Sequence, residues 1–144
     1  MAMAASEPRT PDPEPFLAVD HPAIACRDTR RQIEWYCRRL GMRVVAQNDA
    51  DPPTALVGYD ADAKHGAVIE LMPARDAGTD PAAQARFAPG LRHLALRVRN
   101  FDEAYAALGK AGVRFLSEPG AATGGGRIVS FRDPEGNELQ IVER

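Results

Sequence analysis

Apolar and polar positions along this chain fall into two stretches with the same order of elements. From Leu17 to Cys26 the residues read as a strand, and Asp28 and Thr29 follow as helix N-cap candidates. Ile33, Tyr36, Cys37 and Leu40 then recur at helical spacing, and Gly41 is placed to end that helix. Met42 to Gln47, Ala55 to Tyr59 and Ala67 to Met72 read as three further strands. The second stretch repeats this. Leu91 to Val98 reads as a strand, and Asn100 caps a helix through Ala104, Tyr105, Leu108 and Ala111 that Gly112 stops. Val113 to Ser117, Arg127 to Arg132 and Glu138 to Val142 complete three more strands, with Gly124–Gly126 and the segment from Asp133 to Asn137 as turns.

The pattern predicts an α+β fold of two βαβββ modules forming a pseudo-symmetric, cup-shaped mixed sheet with helices outside. Residues 1–15, with four prolines and no periodicity, read as a flexible tail. The single domain then covers 16–144: module one is 16–73, the linker 74–89 and module two 90–144. The linker holds Pro81 and Pro89, with a short helical turn expected around Pro81 to Phe87. Two copies of about 55 residues are too few for a solenoid, which favours a paired domain.

Strand alternation separates two faces in each module. Ile24, Cys26, Ile69 and Leu71 form an apolar face in copy one, as Leu94, Leu96, Leu139 and Ile141 do in copy two. The opposite face carries His21 and Glu70 in copy one, and His93 and Gln140 in copy two. His93 follows His21 by 72 residues, and Gln140 follows Glu70 by 70. An ionised Glu among small and apolar neighbours is costly unless it is paired or bound to metal. The matched positions point to one divalent ion held by His21, Glu70, His93 and Gln140. The competing reading makes each histidine a hydrogen-bonded structural residue, pairs Glu70 with Arg97 and leaves Gln140 solvated. Glu138, two residues from Gln140 on the same face, is an alternative ligand to it, although its place near the turn favours a solvated side chain.

Composition narrows the picture by exclusion. At 144 residues with 44% hydrophobic and 26% charged positions, the chain is globular and large enough for a real core. A net charge of −2 gives no reason to expect nucleic acid or an anionic membrane. No apolar run approaches the roughly 20 residues that cross a bilayer, and no secretory signal is evident. Cys26 and Cys37 lack a metal-finger spacing, so they read as unpaired thiols of a cytoplasmic protein. Trp35 and Tyr36 are assigned to the core or an interface, and His65 to a polar, exposed turn.

The most distinctive stretch is Gly126-Arg-Ile-Val-Ser-Phe-Arg-Asp-Pro-Glu-Gly-Asn-Glu-Leu-Gln-Ile-Val-Glu143. Together with His21 to Gly41, containing Trp35, Tyr36 and Leu40, it resembles the vicinal oxygen chelate family. That family includes glyoxalase I, methylmalonyl-CoA epimerase, fosfomycin-resistance enzymes and extradiol dioxygenases. The resemblance covers about residues 17–144 and places the family's four ligands at His21, Glu70, His93 and Gln140. The family usually has Glu where Gln140 stands, and in glyoxalase I that Glu is assigned proton shuttling. Methylmalonyl-CoA epimerase, with two His, one Gln and one Glu, is similar with the acid and amide exchanged between copies. A homodimer is what the resemblance implies.

Two imidazoles, a carboxylate and an amide suit Fe, Mn, Ni, Co or Zn, and the absence of thiol donors argues against structural zinc. A substrate with neighbouring oxygens would chelate at the remaining positions, as in a glyoxalase-like lyase or isomerase that stabilises an enolate. Glu70 is the one ligand able to exchange a proton, and is the candidate base. Arg97, Phe131 and Met72 are the candidate substrate-binding residues, with Ala23, Ala25, Val68 and Ala95 as further lining. Two alternatives stand beside this reading. His21, His93 and Glu70 also make the donor set of non-haem Fe(II) dioxygenases. A non-catalytic drug-binding resistance protein would use the same cup. The modules of one cup can come from one chain or be exchanged between two.

Overall fold

Asp28 fixes where the first helix begins. Its backbone is extended and its carboxylate accepts from Arg31 N at 3.0 Å, so the helix runs Thr29–Leu40. Gly41, at φ +70°, closes it in a left-handed cap that a side-chain-bearing residue adopts at a cost. Asn100 does the same for the second helix, Phe101–Lys110, through Glu103 N at 3.1 Å. A computed structural model describes residues 19–59 and 67–144, and these helices are α1 and α2 of that structure. The expected tail at 1–15, the start of the first strand and His65 lie outside the described residues.

Strands β1 (Ala23–Cys26), β2 (Arg43–Gln47), β3 (Ala55–Gly58) and β4 (Val68–Pro73) form one sheet in the order β1-β4-β3-β2. Strands β5 (Leu94–Arg97), β6 (Gly120–Ala121), β7 (Arg127–Arg132) and β8 (Glu138–Val142) form a second in the matching order β5-β8-β7-β6. In both, the first strand runs parallel to the last and the others are antiparallel. The fold is therefore α+β with two βαβββ units. The repeat extends to register: Ala23 pairs with Glu70, and Ala95 pairs with Gln140. The four matched polar residues thus occupy equivalent sites in two equivalent sheets.

One expected strand is broken. Val113 to Ser117 makes a single bridge, Phe115 to Phe131, and pairing resumes only at Gly120–Ala121. Pro119 intervenes without an N–H to offer a ladder, which confines the edge to two short pieces. The helical turn in the linker is also shorter than expected, a single 3₁₀ turn over Pro81–Ala83.

α1 packs across the first sheet and α2 against β8. Tyr36, Leu71, Val57, Phe101, Phe131 and Leu139 belong to one continuous cluster of buried apolar side chains spanning both units. The units are also tied by polar groups. The Asp133 carboxylate, 5% exposed, accepts from Gln32 Nε2 at 2.8 Å and Tyr36 OH at 2.9 Å on α1. Glu135 accepts from Arg27 N and Asp28 N at 2.6 and 3.0 Å. The turn from Asp133 to Asn137 therefore clasps the start of the first helix. Burial of the Tyr36 hydroxyl, reinforced by Asp133, pushes it far above the ordinary tyrosine range.

Candidate functional site

His21 sits just before β1, where Pro22 O accepts from Glu70 N at 2.9 Å and locks the two strands side by side. This brings the His21 Nε2 within 3.5 Å of Glu70 Oε2. On its other edge, His21 Nδ1 lies 2.6 Å from Asp20 Oδ2. The hydrogen bond to Asp20 raises the imidazole pKa, partial desolvation opposes it, and the Glu70 charge adds to the rise. Asp20 thus engages Nδ1 and leaves Nε2 turned to the Glu70 carboxylate.

The second unit departs from this plan. His93 precedes β5 and its Nδ1 lies 3.9 Å from Glu138 Oε2 rather than beside Gln140. Gln140 Nε2 donates to Ser130 Oγ at 3.0 Å, its cross-strand partner on β7. Glu138, expected to be solvated, is buried. Arg86 Nε donates to its Oε1 at 2.6 Å and Arg86 Nη2 to its Oε2 at 3.4 Å. The linker folds back over the start of β8, and its guanidinium neutralises the acid there.

Two of the four matched residues, His21 and Glu70, come together. Donors each about 2.1 Å from a common ion stand roughly 3.0 to 3.4 Å apart, so this pair fits two neighbouring positions on one metal. Among the described residues, no three His, Cys, Asp or Glu side chains gather around one point. A single chain therefore brings His21 and Glu70 together in unit one, while in unit two His93 approaches Glu138 and Gln140 bonds to Ser130.

The candidate substrate residues separate. Met72 shares the Glu70 face of β4 and is half-buried. Phe131 is a correction. It is fully buried, pairs in register with Leu139 and packs edge-on to Phe115, so it belongs to the core face opposite Gln140. Arg97 makes no ion pair with Glu70 among the described residues. It lines a mostly apolar cleft with Tyr59, Val68 and Leu94. A second cavity, about 280 Å³, lies between β1, the linker and the start of β5, and contains His93 and Glu138. Ala23 and Ala25 also line it. Arg86, Arg92 and Arg132 line it too, and none was singled out from sequence. Ser130 was within reach, because a hairpin closing over residues 133–137 places it opposite Gln140. Arg86 carried no periodic signal.

No helix among the described residues is long and apolar enough to cross a membrane. Cys26 and Cys37 are both free. A probable lactoylglutathione lyase of Synechocystis sp. is 28% identical over 127 residues, covering 85% of this chain and 92% of its own. The lactoylglutathione lyase of Escherichia coli O157:H7 is also 28% identical over 127 residues, 85% of this chain and 90% of its own. Among solved structures, a glyoxalase/dioxygenase from Nostoc punctiforme is similar with a TM-score of 0.71 at 23% identity, covering 96% of this chain and 98% of that one. The profile of the Glyoxalase/Bleomycin resistance protein/Dioxygenase superfamily matches residues 18–141, and the chain belongs to that superfamily.

Proposed function

We propose that this protein is a divalent-metal-dependent, glyoxalase-like lyase or isomerase acting on a small molecule with neighbouring oxygens. The observation that carries this is the His21–Glu70 pair at 3.5 Å, together with the identical register of Glu70 and Gln140 in the two sheets. Two relatives bearing the name lactoylglutathione lyase support the reaction class. Because one chain gathers two donors, the full set of His21, Glu70, His93 and Gln140 assembles when unit one of one copy meets unit two of a second. The active species in this reading is a homodimer. It consists of residues 16–144 with the linker at 74–89 joining its modules.

Each side chain then has a distinct task. Asp20 holds His21 with Nε2 directed at the site. Glu70 is the carboxylate that takes a proton from carbon and returns it, since the Gln140 amide has no proton to exchange at neutral pH. Gln140, steered by Ser130, offers an oxygen donor. Met72 borders Glu70 with an apolar surface. When bound, an Fe, Mn, Ni, Co or Zn ion supplies Lewis acidity to the substrate oxygens.

The two-histidine, one-carboxylate subset favours a second reading as an Fe(II) dioxygenase. Elemental analysis of the purified protein, of His21→Ala and of His93→Ala tests the centre. Metal in the wild type and its loss in both variants is the expected result, and retention by both variants refutes it. Solvent-deuterium incorporation into a carbonyl substrate selects the isomerase. Iron with oxygen uptake selects the dioxygenase, and no metal at all selects a drug-binding protein.

A further inference from the structure

We infer that the 280 Å³ cavity beside His93 is a binding site for the carboxylate of a small molecule with a short apolar body, held by Arg92 and Arg132. Three arginines line this cavity against a single acidic residue, Glu138. Glu138 is already matched by Arg86 at 2.6 Å. The other two arginines have no carboxylate partner among the described residues. Arg92 Nη1 donates to Ala85 O at 3.0 Å, and Arg132 Nη1 donates to Gly136 O at 2.7 Å. Both are partly buried. Some exposed arginines elsewhere pair with acids, as Arg30 with Asp51 and Arg127 with Asp102.

Backbone carbonyls fix the direction of a guanidinium but leave its charge uncompensated. Two such groups, partly desolvated and facing one space, raise the cost of leaving that space without an anion. The planar fork of arginine matches a carboxylate in two parallel hydrogen bonds, which selects carboxylate over a neutral amide. Ala23, Ala25, Leu91 and Leu94 supply the apolar walls. Arg97 lies apart from this pair, on the separate mostly apolar cleft. Placing the reacting oxygens of such a molecule toward His93 rests on the metal reading above, whereas the carboxylate pocket stands without it.

The test uses the full chain after chelator treatment, titrated calorimetrically with 3-phenylpropionate and with 3-phenylpropionamide, a neutral near-isostere. The acid should bind at least about tenfold more tightly than the amide. Arg92→Gln and Arg132→Gln should each weaken the acid by about tenfold and leave the amide unchanged, while Arg92→Lys keeps part of the affinity. Because Arg132 also braces the Gly136 turn, each variant is melted alongside, and the wild-type preference for acid over amide decides the matter if one fails to fold. Equal binding of acid and amide, or no binding of the acid to folded wild type, overturns the inference. Acid binding by the chelator-treated chain, when elemental analysis of the untreated protein finds no metal, leaves this pocket standing and removes the catalytic centre.

Discussion

Asp133→Ala should be among the most damaging single substitutions in this chain, although Asp133 lies on a turn. Its Oδ2 accepts from Gln32 Nε2, Tyr36 OH and Asn137 Nδ2 at 2.8, 2.9 and 2.8 Å. Its Oδ1 accepts from Glu135 N and Asn137 N at 2.9 and 3.0 Å. Gln32 and Tyr36 are fully buried, so alanine strands two donors that water does not reach. Each stranded donor costs about 1 to 3 kcal/mol. The two turn bonds and the Asn137 amide are nearer solvent and add about 1 kcal/mol together. The expected loss is roughly 3 to 7 kcal/mol, a large share of the 5 to 15 kcal/mol typical of a domain. Tyr36→Phe removes one donor and leaves the carboxylate four, which costs about 1.5 kcal/mol. In the Asp133→Ala background the same change removes a stranded hydroxyl and should be close to neutral. Urea unfolding of the four proteins, read at constant m-value, gives the cycle. A loss under about 1 kcal/mol for Asp133→Ala, or additive effects in the double variant, would refute the clasp between the units.

Three further outcomes follow from local geometry. Gly126 stands at φ +83°, where an added Cβ runs into the Glu143 carbonyl, whereas Gly125 at φ +99° has open space around it. Gly126→Ala should therefore cost roughly 2 to 4 kcal/mol and Gly125→Ala about 1, as read from thermal or urea midpoints, and equal losses would contradict the close approach. The Cys26 thiol is buried and pushed up to about 12, chiefly by desolvation, so Ellman's reagent should leave it unmodified until the protein unfolds. The His21 imidazole, raised first by its Asp20 hydrogen bond, should titrate above the ordinary histidine value in NMR, and Asp20→Asn should lower it. Since the raised group favours the fold below its unfolded pKa and loses that effect as pH rises through the folded value, any advantage of wild type over Asp20→Asn should be full below the ordinary histidine range and fade as pH rises above it.

Strand and helix positions were legible because each element announces itself locally. Asp28, Gly41 and Asn100 act within a single turn of the residues they cap, and β7 and β8 lie where their alternation puts them. The edge strand failed where a single residue, Pro119, removed a donor that a count of apolar positions does not register. Face assignments held where period-two alternation met a core on one side, as for Ile69 and Leu71 against Glu70. Phe131 was misplaced because its neighbours on β7 alternate without an obvious polar face. The antiparallel register with Leu139 decides its side.

Long-range pairing accounts for the rest. The matched sequence positions make Gln140 the counterpart of Glu70, and the register bears that equivalence out. Yet the imidazole of His93 approaches Glu138, whose position in the first sheet is filled by Val68. What permits an acid there is Arg86, 52 residues earlier on a segment with no periodicity. Without that guanidinium, a carboxylate with a 6% exposed side chain would be too costly to leave charged. The acid and its counterion are therefore one feature divided between a strand and a linker, and only a fold that returns the linker across β8 joins them. The asymmetry between the two sheets thus arises in the segment that is not repeated, which is where a reading based on repetition has least to compare.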